Sequence, residues 1–103
     1  MENGRYFVGE DLKFKITLEA DGFDQDTDSY QIEFICGSYT HTYTQADVVK
    51  GIDGCHYLLI PTESLEPGMM KMIITVFVPD TDFPSGIRKE RESITLGPLK
   101  PVK

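Results

Sequence analysis

Apolar and polar residues alternate without a break over residues 12–19. Leu12, Phe14, Ile16 and Leu18 are apolar, and the residues between them are lysine, threonine or glutamate. A period of two places every second side chain on the same face of an extended chain. The segment therefore predicts a β-strand with one face in a core.

Five further segments have strand-like composition and are separated by turn signals. They are residues 30–36, 39–43, 55–60, 69–78 and 87–96. Glycine, proline and aspartate separate them, as in the loop of residues 20–29. Residues 45–50 fit either one helical turn or a short extended stretch. Six or seven short strands without a long helical period predict an all-β, immunoglobulin-like antiparallel β-sandwich of about seven strands, with a small β-barrel as the alternative.

We expect these strands to enclose one hydrophobic core. Its predicted members are Leu12, Phe14, Ile16, Ile32, Phe34, Leu59, Ile74 and Val76. Leu65 fits as a plug at one end of this core, and the apolar run of residues 69–78 predicts a central strand covered on both faces. The chain has 103 residues, the size of a single domain. We place the domain at residues 1–96 and predict that residues 97–103, which contain two prolines, form an extended C-terminal tail.

The net charge of −7 belongs to one part of the chain. No lysine or arginine lies between Lys15 and Lys50, and that stretch contains seven acidic residues. It predicts a negative patch around the loop of residues 24–28. Repulsion from phosphate disfavours nucleic acid as a partner.

Targeting signals and membrane spans are not visible in the sequence. The N-terminus lacks a basic region followed by an apolar run, so we expect synthesis and folding in the cytoplasm. The longest apolar stretch, residues 72–78, is far shorter than the roughly 20 residues of a membrane span, so we expect no membrane partner. Cys36 and Cys55 fit two partly buried thiols, and a bridge between them is the alternative.

The acidic loop contains the candidate metal ligands. Asp24, Asp26 and Asp28 occupy positions 1, 3 and 5 of a calcium-loop pattern, but Ser29 and Ile35 at positions 6 and 12 exclude an EF-hand. A different calcium site could use these three carboxylates together with Asp80 and Asp82. The alternatives are a solvated loop, because aspartate favours turns, and a contact surface for a basic partner.

Other chemistry finds little support in the residue pattern. The potential zinc ligands are Cys36, His41, Cys55 and His56, and their spacing forms no Cys-x-x-Cys or His-x-x-x-His unit. Adjacent residues in a strand point to opposite faces, which separates Cys55 from His56. No nucleophile elbow and no phosphate-binding loop occurs. We therefore predict no catalytic residue, no cofactor and no enzymatic activity.

Several turn and strand motifs together resemble a known group of proteins. They are the Val-Gly-Glu-Asp-Leu-Lys-Phe of residues 8–14, the Gly-Phe-Asp of residues 22–24, the Leu-Glu-Pro-Gly of residues 65–68 and the proline- and aspartate-rich residues 78–86. They are similar to small structural proteins in phages and prophages of gut bacteria. The first and third also resemble the N-terminal β-sandwich of phage baseplate upper proteins.

This resemblance implies a structural role in a phage particle. The protein would be a capsid-decorating or auxiliary protein, or a tail or baseplate component, located in the virion. Its partners would be other virion subunits or further copies of itself, contacted through a sheet edge, loops and tail. The resemblance supplies no functional residues. The alternative is a ligand- or carbohydrate-binding β-sandwich at the cell surface.

Overall fold

The computed structural model of the protein describes residues 6–101, which form eight β-strands. The strands are β1 (Tyr6–Phe7), β2 (Asp11–Ile16), β3 (Tyr30–Cys36), β4 (Tyr39–Thr44), β5 (Val49–Lys50), β6 (His56–Pro61), β7 (Gly68–Pro79) and β8 (Ile87–Lys100). A single 3-10 turn, Gln45–Asp47, joins β4 to β5 and is capped by Thr44. The predicted signal-free N-terminus at residues 1–5 and the end of the predicted tail at residues 102–103 lie outside the described residues.

The strands form two sheets, and their order is that of an immunoglobulin-like sandwich. One sheet has the order β1-β8-β7-β3-β4 and the other has the order β2-β6-β5. In the immunoglobulin scheme, β2, β6 and β5 stand for strands B, E and D, while β8, β7, β3 and β4 stand for G, F, C and C′. The predicted all-β sandwich is confirmed. The pairing is antiparallel except that β1 runs parallel to β8.

The core lies between the two sheets and is built by strand alternation. Every second residue of β3, from Tyr30 to Cys36, is buried, and β7 supplies Met70, Met72 and Ile74 beside them. All the predicted core residues except Leu59 belong to this core or pack against it, and Leu65 is buried there. The prediction that Leu59 belongs to the core is wrong. Leu59 is 47% exposed, because Leu58 and Ile60 take the inward positions of β6.

The last strand is longer than predicted. The sequence predicts a tail from Gly97, but β8 continues through Lys100 and Leu99 is only 1% exposed. The strand passes the Gly-Pro pair by a β-bulge: Thr95 pairs with Lys71 and Gly97 with Met70, which leaves Leu96 as the extra residue. Gly97 has a φ of 119°, a conformation that glycine adopts without a steric penalty. The predicted boundary at residue 97 therefore falls inside a strand of the domain.

Candidate interaction surface

One edge of the five-stranded sheet is open along most of β8. This strand has 14 residues and pairs with β7 along one side. On its other side, β1 pairs only with Leu99 and Lys100. Within residues 6–101, the stretch from Ile87 to Pro98 therefore has no neighbouring strand on that side. Such an edge presents unpaired N–H and C=O groups that can bind another extended chain.

The inward-facing side chains of β8 change from charged to apolar along this open edge. Cross-strand partners share a face, so Arg88, Glu90, Glu92 and Ile94 face inward opposite Val78, Val76, Ile74 and Met72. Among the strands of residues 6–101, β2 pairs only with β6 and forms one edge of the smaller sheet. The inward face of β8 therefore lines a cleft whose opposite wall is formed by β2 and the residues that follow it.

Two adjoining hollows make up this cleft, which we call the β2–β8 cleft. The smaller hollow, of about 80 Å³, is lined by Leu18, Glu19, Ile74, Val76, Glu90, Arg91 and Glu92. The larger, of about 170 Å³, is lined by residues 14–18, Met72, Ile74, Ile94 and Leu96. Leu18 and Ile74 border both hollows. The cleft is thus mainly apolar, with carboxylates at one end.

The charges at that end are not all neutralised within the domain. The Arg88 guanidinium contacts the carboxylates of Asp80 and Glu90, the latter at 2.8 Å, and donates to the Asp21 carbonyl oxygen. The carboxylates of Glu19 and Glu92 have no hydrogen-bond or ion-pair partner in the described part of the chain, although both line the smaller hollow. Within residues 6–101, Glu19 and Glu92 therefore pair with no cation, and Arg91, which borders the same hollow, donates to the Thr75 hydroxyl instead.

The candidate calcium ligands do not form one site. Asp24 Oδ1 accepts the backbone N–H of Asp26 at 2.9 Å, and Asp28 Oδ2 accepts the backbone N–H of Asp24 at 2.8 Å. Their carboxylates thus stabilise the turn itself, as aspartate does in many loops. Within residues 6–101, no group of three histidine, cysteine, aspartate or glutamate residues is arranged to hold a metal ion.

Asp26 instead forms part of a small charge cluster with β5 and β6. Its Oδ1 atom lies 3.1 Å from the Lys50 ammonium and 3.1 Å from His56 Nε2. The hydrogen bond and the positive charge of Lys50 lower the pKa of the Asp26 carboxyl, with a smaller effect from His56. The ion pair between Asp26 and Lys50 of β5 therefore connects the acidic loop to the smaller sheet.

Asp80 and Asp82, the other calcium candidates, also lie in a self-contained turn. Asp80 Oδ1 accepts the backbone N–H of Asp82 at 3.0 Å, and its other oxygen contacts Arg88. These contacts lower the pKa of the Asp80 carboxyl, with the backbone donor as the largest cause. The Arg88 guanidinium therefore lies next to the Asp80 carboxylate, where a bound metal ion would have to lie.

The potential zinc ligands are spread over the molecule. Cys36 and Cys55 are free thiols, and burial raises the pKa of the Cys36 thiol. His41 packs against Tyr43 with ring centroids 4.5 Å apart. His56 lies beside Asp26 instead.

His41 also belongs to a row of rings on β4. Pairing with β3 places Tyr39, His41 and Tyr43 on its inward side. In this row, Tyr39 is 40% exposed.

Comparison with known proteins leaves the fold as the main finding. No protein-family model, no curated protein and no solved structure matches this chain. No helix within residues 6–101 has the length and the apolar character needed to cross a membrane.

Proposed function

We propose that the chain is a non-enzymatic structural domain of a phage particle, located in the virion, that binds neighbouring virion subunits through the open edge of β8 and the β2–β8 cleft. The observation that carries this proposal is the edge from Ile87 to Pro98, which no strand of residues 6–101 covers and which lies beside an apolar cleft. A sheet edge offers main-chain hydrogen bonds, and a cleft beside it offers side-chain specificity.

The charges of β8 fit an edge that binds selectively. Lys89 and Arg91 lie on its outward face, and Glu90 and Glu92 lie on its inward face. Charged residues on an edge strand oppose indiscriminate pairing with other strands. A partner must therefore supply complementary charges, as a specific subunit contact requires.

The resemblance to phage structural proteins supports a particle as the setting. The similar motifs are residues 8–14 at the start of β2, residues 22–24 between β2 and β3, residues 65–68 at the entry to β7 and residues 78–86 between β7 and β8. The proposal includes two locations for the domain in the particle, on the capsid as a decorating protein or in the tail or baseplate.

Particle composition tests the proposal. We expect mass spectrometry of particles purified from the encoding phage or prophage to find the chain in stoichiometric amount. The Ile94→Asp variant should be incorporated about tenfold less, equivalent to about 1.4 kcal/mol of binding. Ser93→Asp places the same charge on the outward face of the same strand and should be incorporated normally. Absence of the chain from particles would overturn the proposal.

The row of rings on β4 supports a second candidate, a carbohydrate-binding module at the cell surface. Tyr39, His41 and Tyr43 lie on one side of an edge strand, and flat exposed rings bind the apolar faces of sugars. In this case a cell-surface polysaccharide should shift the NMR signals of Tyr39 and His41, and Tyr39→Ala should abolish binding. Shifts confined to β8 would exclude this candidate.

A further inference from the structure

We infer that the open edge of β8 binds an extended segment of another protein as an additional strand, and that this segment places a lysine or arginine between Glu19 and Glu92 and an apolar side chain beside Ile94. The inference rests on the proposed function, because it names the chemistry of the partner at the same surface. It defines a motif in which a basic residue and an apolar residue are separated by one position.

The geometry of the sheet determines where such a segment lies. A strand added to β8 runs about 4.8 Å from it, over the gap between β8 and β2. Every second side chain of that strand points inward, into the β2–β8 cleft. The cleft floor, formed by Ile74 and Met72 of β7, and its wall at Leu18 would contact these side chains.

The two carboxylates without a partner determine the charge of one inward side chain. Glu19 and Glu92 border the same hollow, and each lies beside apolar groups such as Val76. An added strand would remove water from these carboxylates, which is unfavourable unless a cation replaces it. A lysine or arginine supplies that cation, and its aliphatic stem packs on the apolar wall.

The neighbouring inward position is apolar. Two residues beyond Glu92, Ile94 faces the larger hollow and is 36% exposed. Residues two apart on an added strand stand opposite Glu92 and Ile94, because both strands have a period of two. A valine, isoleucine, leucine or phenylalanine at that position would bury apolar surface against Ile94, Leu96 and Phe14.

A second copy of the chain that pairs in the register centred on Glu90 fits this edge poorly. Two β8 strands related by a two-fold axis perpendicular to the sheet pair antiparallel with the same faces together. The register centred on Glu90 places Glu90 opposite itself and Lys89 opposite Arg91. Like charges directly opposite each other destabilise a strand pair.

Peptide selection on the whole chain tests the inference. A library of random peptides displayed on a carrier is selected on the immobilised protein, on Ile94→Asp and on the outward-face control Ser93→Asp. We expect peptides enriched on the wild type and on Ser93→Asp to share a lysine or arginine two positions from an apolar residue. Enrichment on Ile94→Asp should be at least tenfold lower. No enriched motif, an acidic motif or equal enrichment on Ile94→Asp would overturn the inference.

A charge reversal then identifies the contact. A synthetic peptide with the selected motif should bind the double variant Glu19→Lys/Glu92→Lys at least tenfold more weakly, and a peptide with glutamate in place of the basic residue should recover the loss. NMR shifts should be concentrated in residues 87–96. Both substituted side chains are exposed, and the NMR spectrum of the variant verifies its fold.

Other occupants have their own signatures. A dimer that Ile94→Asp dissociates would overturn the inference in favour of a second copy. Binding that appears only after residues 1–5 are deleted would overturn it in favour of the chain's own N-terminus. Particles that contain the protein while no peptide motif is selected would leave the proposed function standing and reject the added strand.

Discussion

Leu99 lies directly beside Tyr6 in the parallel pairing between β1 and β8, and Gly68 of β7 is its partner on the other side. Its side chain is 1% exposed and belongs to the core. The first and last strands of the described chain are therefore held together by two pairs, Tyr6 with Leu99 and Phe7 with Lys100. This makes the C-terminal segment part of the domain rather than an appendage.

Removal of residues 97–103 should accordingly destabilise the domain. The deletion takes away Leu99 and the pairing partner of β1, and burial of a leucine of this kind is typically worth about 2–5 kcal/mol. Urea unfolding should show a lower free energy of unfolding for the deletion and for Leu99→Ala. Removal of residues 101–103 alone leaves β8 intact and serves as the control. Identical unfolding midpoints for all variants would contradict the role of Leu99.

Leu58 and Leu59 offer a matched comparison of the two faces of β6. Leu58 is 0% exposed and Leu59 is 47% exposed. Leu58→Ala should cost about 2–5 kcal/mol, because it opens a cavity between the sheets. Leu59→Ala should change the free energy of unfolding by less than about 0.5 kcal/mol, as surface substitutions usually do. Equal effects in thermal or urea unfolding would show that the face assignment is wrong.

The same pair of residues shows which part of the fold the sequence predicts. Alternation in residues 11–16 and 30–36 assigns faces correctly, because all the outward positions except Ile35 are polar. In β6, Leu58, Leu59 and Ile60 are all apolar, so the pattern cannot distinguish the inward face from the outward one. Pairing with β2 decides it, and that pairing is a long-range property.

Turn signals mislead at the end of the chain for a physical reason. Gly97-Pro98 resembles the end of a strand, but glycine also permits a bulge, and a proline is tolerated where no N–H is needed for pairing. The candidate site has a similar limit. The alternation of charge in residues 88–92 is visible in the sequence, but the position of Glu92 at the same hollow as Glu19 depends on long-range packing.

The Thr62 hydroxyl joins the turn before β2 to the end of β6. It is fully buried, donates to the Glu10 carbonyl oxygen at 2.7 Å and accepts the Gly9 N–H at 2.9 Å. Thr62→Val keeps the shape but leaves the N–H of Gly9 without a partner, which should cost about 1–3 kcal/mol. Thr62→Ser keeps the hydroxyl and should lose less. Chemical denaturation of both variants measures the difference, and a more stable Thr62→Val would contradict these hydrogen bonds.

Calcium should leave the melting temperature unchanged. A ligand that binds the folded state raises the melting temperature by mass action. The carboxylates of Asp24 and Asp28 are occupied by backbone donors, and that of Asp26 by Lys50 and His56. Differential scanning calorimetry with millimolar calcium, and with magnesium as the control, measures the shift. A rise specific to calcium that Asp26→Asn abolishes would establish a site that these contacts do not indicate.

Tyr57 and Asp53 form a hydrogen bond that should be visible in a pH titration. The Tyr57 hydroxyl donates to Asp53 Oδ2 at 2.7 Å, and this contact raises the pKa of Tyr57 from 10.0 to about 12. The stabilisation by this bond is therefore fully present below pH 10 and is lost as the pH rises through about 12. The same bond lowers the pKa of the Asp53 carboxyl, so its contribution is also lost at acidic pH, as that group becomes protonated.

A residue-specific titration is needed because burial also raises the pKa of Tyr30 and of Tyr43. NMR signals of the Tyr57 ring should titrate well above those of an ordinary tyrosine. Asp53→Asn keeps an oxygen that can accept the hydrogen bond but removes the negative charge, so the pKa of Tyr57 should move back toward 10.0. If the ring of Tyr57 titrates at the same pH in Asp53→Asn as in the wild type, the charge of the Asp53 carboxylate does not control the ionisation of Tyr57.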